Sequence, residues 1–172
     1  MPAESPSRPA IPAGPQGLRG PALVLFAAIL ALGAALRLDQ FTLQVLLDDE
    51  WHAVHQILRR GPASLVLELG HADFGIPLAL YDWALVQTVG LSETAMRVPM
   101  MLCGLATIVL FPLAVARRIG RAEALAFALL LATSPLLVAF SQVARPYAIN
   151  VFLGWVAHWA FLRYWEGSVR AG

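Results

Sequence analysis

Three consecutive acids, Asp48, Asp49 and Glu50, open the segment LDDEWHAVHQILRR, with His52 and His55 close behind. Two isolated arginines, Arg97 and Arg145, stand at the edges of long apolar runs, the second two residues before Tyr147. A carboxylate near a membrane surface can take a proton from an attacking hydroxyl, while a guanidinium neutralises a departing phosphate. Those groups together suit a substrate carried on a lipid phosphate. A second chemistry is a divalent ion shared between the oxygens of Asp48, Asp49 and Glu50 and such a phosphate. A structural metal is less well supported. His52, His55, His71 and Asp73 supply ligand types, but HExxH and paired CxxC spacings are absent. Each feature also has a plain reading. Acids favour the positive end of a helix dipole, and arginines at helix ends snorkel to headgroups.

The elements that must hold these groups follow from composition. The 172 residues are 59% hydrophobic and 13% charged, with a mean hydropathy of +0.68, which describes an all-α integral membrane protein. The basic residues are all arginine, 12 in number. The single cysteine, Cys103, lies in an apolar run and excludes an intrachain disulfide. Residues 1–20 are rich in Pro, Ala and Gly without periodicity, as in a disordered tail. Four runs have the length of a membrane span: 21–38, 98–116, 122–140 and 147–165. The first is read as a retained anchor rather than a cleaved signal peptide, since it runs straight into Arg37 and Asp39.

Two shorter helices, 50–60 and 77–90, are expected to lie along the membrane face within an external loop spanning 39–97. In 50–60, Trp51, Val54, Ile57 and Leu58 form the apolar stripe, opposite His52, His55, Gln56 and Arg59. The 77–90 run includes Asp82 and Gln87 and is short for a span. Charge bias agrees. If 77–90 lies flat, Arg117, Arg118 and Arg121 share the cytoplasmic side with Arg8, Arg19, Arg163 and Arg170. Asp49, Arg97 and Arg145 then share the extracytoplasmic side. Pro146 predicts a helix break in the second external loop, 141–147. His158 reads as a packing partner, and the Trp and Tyr residues as an aromatic belt.

An apolar anchor followed by DDEWHA, HADFGIPLALYDW, GLSETAMRVPMMLCG and SPLLVAFSQVARPYA resembles the N-terminal part of polyprenyl-phosphate-sugar-dependent membrane glycosyltransferases of GT-C type. That group includes the dolichyl-phosphate-mannose protein mannosyltransferases and the bacterial aminoarabinose and galacturonic-acid transferases of lipid A. The resemblance covers roughly residues 21–165. It implies that Asp49 is the general base, with Glu50 beside it, in an inverting transfer from a polyprenyl-phosphate sugar to a lipid, glycan or protein hydroxyl. It places Arg97 on the lipid phosphate and matches Arg145 and Tyr147 to an ARxYA element, with Asp48 and His52 lining the site. Ile76 stands where the lipid A transferases carry a basic residue. Family members run to several hundred residues, so this chain is expected to be the N-terminal module of a longer inner-membrane enzyme, 21–172. A transporter and a non-catalytic assembly subunit are the alternatives. A transporter would show repeat symmetry and mid-membrane ionisable groups, whereas polar chemistry here gathers on one external surface. Nucleic acid is not an expected partner.

Overall fold

The computed structural model describes residues 18–43, 48–68 and 75–171. Within them the regular structure is α-helical, with no strand: α1 (Pro21–Leu38), α2 (Asp48–Arg60), α3 (Ser64–Leu67), α4 (Ile76–Gln87), α5 (Glu93–Ile119), α6 (Arg121–Thr133), α7 (Pro135–Gln142) and α8 (Tyr147–Ala171). The expected tail, apart from residues 18–20, falls outside the described residues, as do His71 and Asp73, which were weighed as ligand types for a less favoured metal.

Among the described residues, α1 and α5 are long and apolar enough to cross a membrane, and α6 with α7 makes a third candidate if that bent pair is one span. The four expected spans are therefore supported as two to three. α8 has the length, at 25 residues, but Asn150, His158 and Arg163 interrupt its apolar run.

The expected continuous helix over 122–140 is corrected to two helices meeting at 53°. Ser134 accepts a hydrogen bond from the Leu137 amide and Pro135 occupies the first position of α7, a normal helix start inserted into an apolar run. Pro135 has no N–H to give the Leu131 carbonyl four residues back. Arg37 of α1 supplies the missing donor, with its guanidinium bonding the carbonyls of Leu131 and Ala132 at 3.0 Å and Gly33 at 3.0 Å. The favour is returned at the end of α1. Gln142 Nε2 donates to the carbonyls of Leu36, Arg37 and Asp39 at 3.3, 3.1 and 3.0 Å, where a helix has no internal donors left. α5 repeats the device. Pro99 frees the Ala95 carbonyl, and the Tyr81 hydroxyl of α4 donates to it at 2.8 Å.

Small residues let the long helices approach. Ala124, Ala128 and Ala132 are fully buried on one face of α6, where Phe26 and Ile29 of α1 pack against the last two. A Cβ on Gly33 would come within 2.9 Å of both Ala132 Cβ and Ile108 Cδ1, so α1 sits directly on α6 and α5. Gly104 plays the same part between α5 and α7. Its added Cβ would overlap Ser141 Oγ and lie 2.8 Å from Ser141 Cβ. Gly104→Ala is expected to cost about 1–3 kcal/mol through overpacking, and Ser141→Gly in the same chain should restore the loss. Thermal unfolding in detergent checks this; a fully stable Gly104→Ala single variant would show that α7 moves aside freely.

At the far end of the bundle, Arg118 pairs with Glu166 at 2.7 Å and lies 4.6 Å from the Trp159 ring centroid. Phe111 stacks on Trp155 at 4.0 Å. These contacts fix α8 along α5. They leave the opposite end to α2, α3, α4, the start of α5 and the 143–146 loop.

Candidate functional site

α2 turns a carboxylate inward. Its buried face is Glu50, Val54 and Ile57, spaced i, i+4, i+7. This corrects the expected stripe: Leu58 is exposed at 55%, while Gln56 is buried and donates to the Ser64 carbonyl at 3.1 Å. Packing sets the rotation. Val54 joins Leu78 and Leu85 of α4 and Met96 and Met100 of α5, whereas Ile57 joins Leu65 and Ala79. Burying those three layers leaves Glu50 at the junction of α2, α5 and the loop after α7.

There Glu50 meets two partners. Arg97, in the second turn of α5, places NH2 3.4 Å from Glu50 Oε2, and both side chains are almost fully buried at 2% and 0% side-chain exposure. The Ala144 backbone N–H donates to Glu50 Oε1. A charged acceptor on a backbone amide and a guanidinium is among the stronger arrangements available to a buried acid, and neither partner is left with an uncompensated charge. Glu50 thus ties the start of α2 to both other segments at this end.

Arg145 follows Ala144 directly. Two tight backbone bonds, Arg145 N to Val143 O and Tyr147 N to Arg145 O, each 2.8 Å, close the loop on itself. Arg145 is half-buried, with its guanidinium carbon 5.8 Å from the Tyr147 ring centroid, and Tyr147 in turn packs on Phe140 at 4.7 Å. Of the sequence candidates, Glu50, Arg97, Arg145 and Tyr147 therefore belong to one end of the bundle. Asp48 and Asp49 form the first turn of α2 beside Glu50. The side chains of Asp48, Asp49 and His52 lie outside the described residues. His55 is exposed and stacks on Trp51 at 5.5 Å. Among the described residues there is no group of three or more His, Cys, Asp or Glu side chains placed to hold a metal ion.

One acid was not singled out as a site residue by sequence. Asp82 sits on the buried face of α4 between Leu78 and Leu85, 4% exposed, and its Oδ1 meets no hydrogen-bond donor among the described residues. The signal was its i, i+4 and i, i+3 spacing to those leucines. Burial raises its pKa from 3.8 to about 7. Between those values the folded chain holds a proton that the unfolded chain has released, so stability falls as pH rises through the interval and levels off above it. Asp82→Asn should flatten that slope. Melting temperatures in detergent from pH 4 to 8 test it, and an unchanged slope in the variant would exclude Asp82 as the source.

Comparison of the chain with protein-family models, curated proteins and solved structures finds no match. The site stands on its own geometry.

Proposed function

We propose that this chain is the N-terminal membrane module of an inverting glycosyltransferase that uses a polyprenyl-phosphate sugar at the extracytoplasmic face. The observation that supports it best is the convergence on Glu50: Arg97 and the Ala144 amide both hold that acid. It gathers the acidic start of α2 and the Arg145 loop at one end of an apolar helical bundle. An interfacial site needs that arrangement, because a donor anchored by its lipid reaches only what lies at its own membrane depth.

In this reading α8 is the fourth span and both chain ends face the cytoplasm. Asp49 takes the proton of the acceptor hydroxyl as its oxygen attacks the anomeric carbon. The bond from that carbon to the phosphate oxygen breaks, and the polyprenyl phosphate leaves with the electron pair. Arg145 offsets its charge. Both oxygens of Glu50 are engaged by other groups, so Glu50 positions rather than reacts. Asp48 and Asp49 would be the residues to hold a divalent ion, which would supply positive charge to offset the leaving phosphate.

The test is transfer by the full-length protein that carries this module, reconstituted in liposomes with polyprenyl-phosphate sugars, following release of polyprenyl phosphate and labelling of a hydroxyl acceptor. Turnover supports the reading. No turnover and no binding of polyprenyl phosphate would leave an assembly subunit, which shares the topology without needing Asp49.

A further inference from the structure

α5 and α8 pack side by side and run in the same direction. Phe111 stacks on Trp155 at 4.0 Å. Further along both helices, Arg118 holds Glu166 at 2.7 Å and lies 4.6 Å from the Trp159 ring centroid. Those contacts mark the facing line of each helix. At about 100° per residue, Arg117 falls one step back from that line on α5, and Arg163 falls about 60° forward of Glu166 on α8. On two parallel helices facing each other, opposite rotations point to the same side. Arg117 and Arg163 therefore rise from one side of the pair, with the Arg118–Glu166 bridge between them. Both are exposed, and among the described residues neither pairs with a carboxylate. Helical spacing carries the stripe away from this end. Leu110 and Leu113 stand seven and four residues before Arg117, and Val156 seven before Arg163, all three exposed. The result is a shallow groove with two guanidiniums at its end and apolar walls along its length.

We propose that this groove binds a phospholipid with a net negative headgroup, its phosphate between Arg117 and Arg163 and an acyl chain along Leu110, Leu113 and Val156. Charge and polarity select that ligand. Two guanidiniums offer planar forks of N–H donors matched to phosphate oxygens. Glu166 does not oppose them, because Arg118 neutralises its carboxylate. A zwitterionic headgroup would bring a cation of its own toward the same arginines, so a net negative one is favoured. A free phosphate would use the arginines and leave the apolar stripe bare, whereas a lipid covers both. The depth fits as well. α5 is long and apolar enough to cross a membrane, and Arg117 stands in its last turn. The exposed rings of Tyr164 and Trp165 follow Arg163 at the level where aromatic belts meet headgroups. This groove lies at the opposite end of the bundle from Glu50 and Arg145. The inference rests on α5 crossing the membrane and not on the proposed activity.

The full-length protein that carries this module, purified in a neutral maltoside detergent, is titrated with phosphatidylglycerol, with phosphatidylcholine and with inorganic phosphate. The readouts are the melting temperature and the lipid retained in native mass spectrometry. Phosphatidylglycerol is expected to raise the melting temperature and to be retained at roughly 10–30-fold lower concentration than phosphatidylcholine, the preference that two arginines at an anionic surface supply. Inorganic phosphate should do neither. Arg117→Gln combined with Arg163→Gln should abolish the preference while the melting temperature in detergent alone stays that of the wild type. Equal retention of the two lipids, or a preference that survives in the double variant, overturns the proposal. A matching response to inorganic phosphate also overturns it, in favour of a soluble anion. Should the double variant not fold, Arg117→Gln alone decides by the same comparison, with an expected loss of about fivefold.

Discussion

Asp49→Asn is expected to cut sugar transfer about 10²–10⁴-fold, the usual contribution of a positioned general base. Asparagine has the size of aspartate and forgoes only about 0.3–1 kcal/mol of favourable interaction with the helix dipole, so α2 should start where it does now, at Asp48. Expression, membrane insertion and binding of polyprenyl phosphate should be unchanged, leaving the loss in turnover alone. The measurement is a single-turnover rate with saturating donor, with the melting temperature alongside. Transfer at the wild-type rate would remove Asp49 as base. A fallen melting temperature would instead assign it to capping.

Arg97→Met should be the most damaging single change to the fold. It leaves the Glu50 carboxylate, 3% exposed, with the Ala144 amide but without the guanidinium that offsets its charge. Breaking a buried pair from one side costs about 3–5 kcal/mol, whereas replacing both charges is often nearly neutral. Glu50→Gln added to Arg97→Met should therefore recover more than half of the loss, since glutamine still offers an oxygen to Ala144. Chemical or thermal unfolding in detergent measures both variants. If the double variant is no better than the single, the stabilising element is Arg97's stem rather than the ion pair.

The two predictions bear on adjacent residues with different fates. A helix turns about 100° per residue, so one neighbour of a three-acid run can point into the core while another does not. Nothing in the order Asp-Asp-Glu says which. The rotation of α2 was settled by Val54 and Ile57 finding α4, α5 and α3, which carries Glu50 inward with them.

The helical character of the described residues, and the apolar runs long enough to cross a membrane, were determined by the sequence itself, because hydropathy and helical periodicity are local properties of the chain. The first run was expected at 21–38 and is Pro21–Leu38; the two shorter helices expected at 50–60 and 77–90 are Asp48–Arg60 and Ile76–Gln87. Pro146 likewise marked the break before α8. What only the tertiary structure decided is who satisfies whom. Glu50 meets residues 47 and 94 positions away, and Arg37 reaches carbonyls 94 and 95 positions away. The run through Pro135 read as one span, since apolar content passes across the proline unchanged. Its bend is tolerable because a guanidinium from another helix covers the carbonyl that the proline abandons. Partners of buried polar groups are fixed by which helices pack together, and that is a property of the assembled bundle, not of any stretch of it.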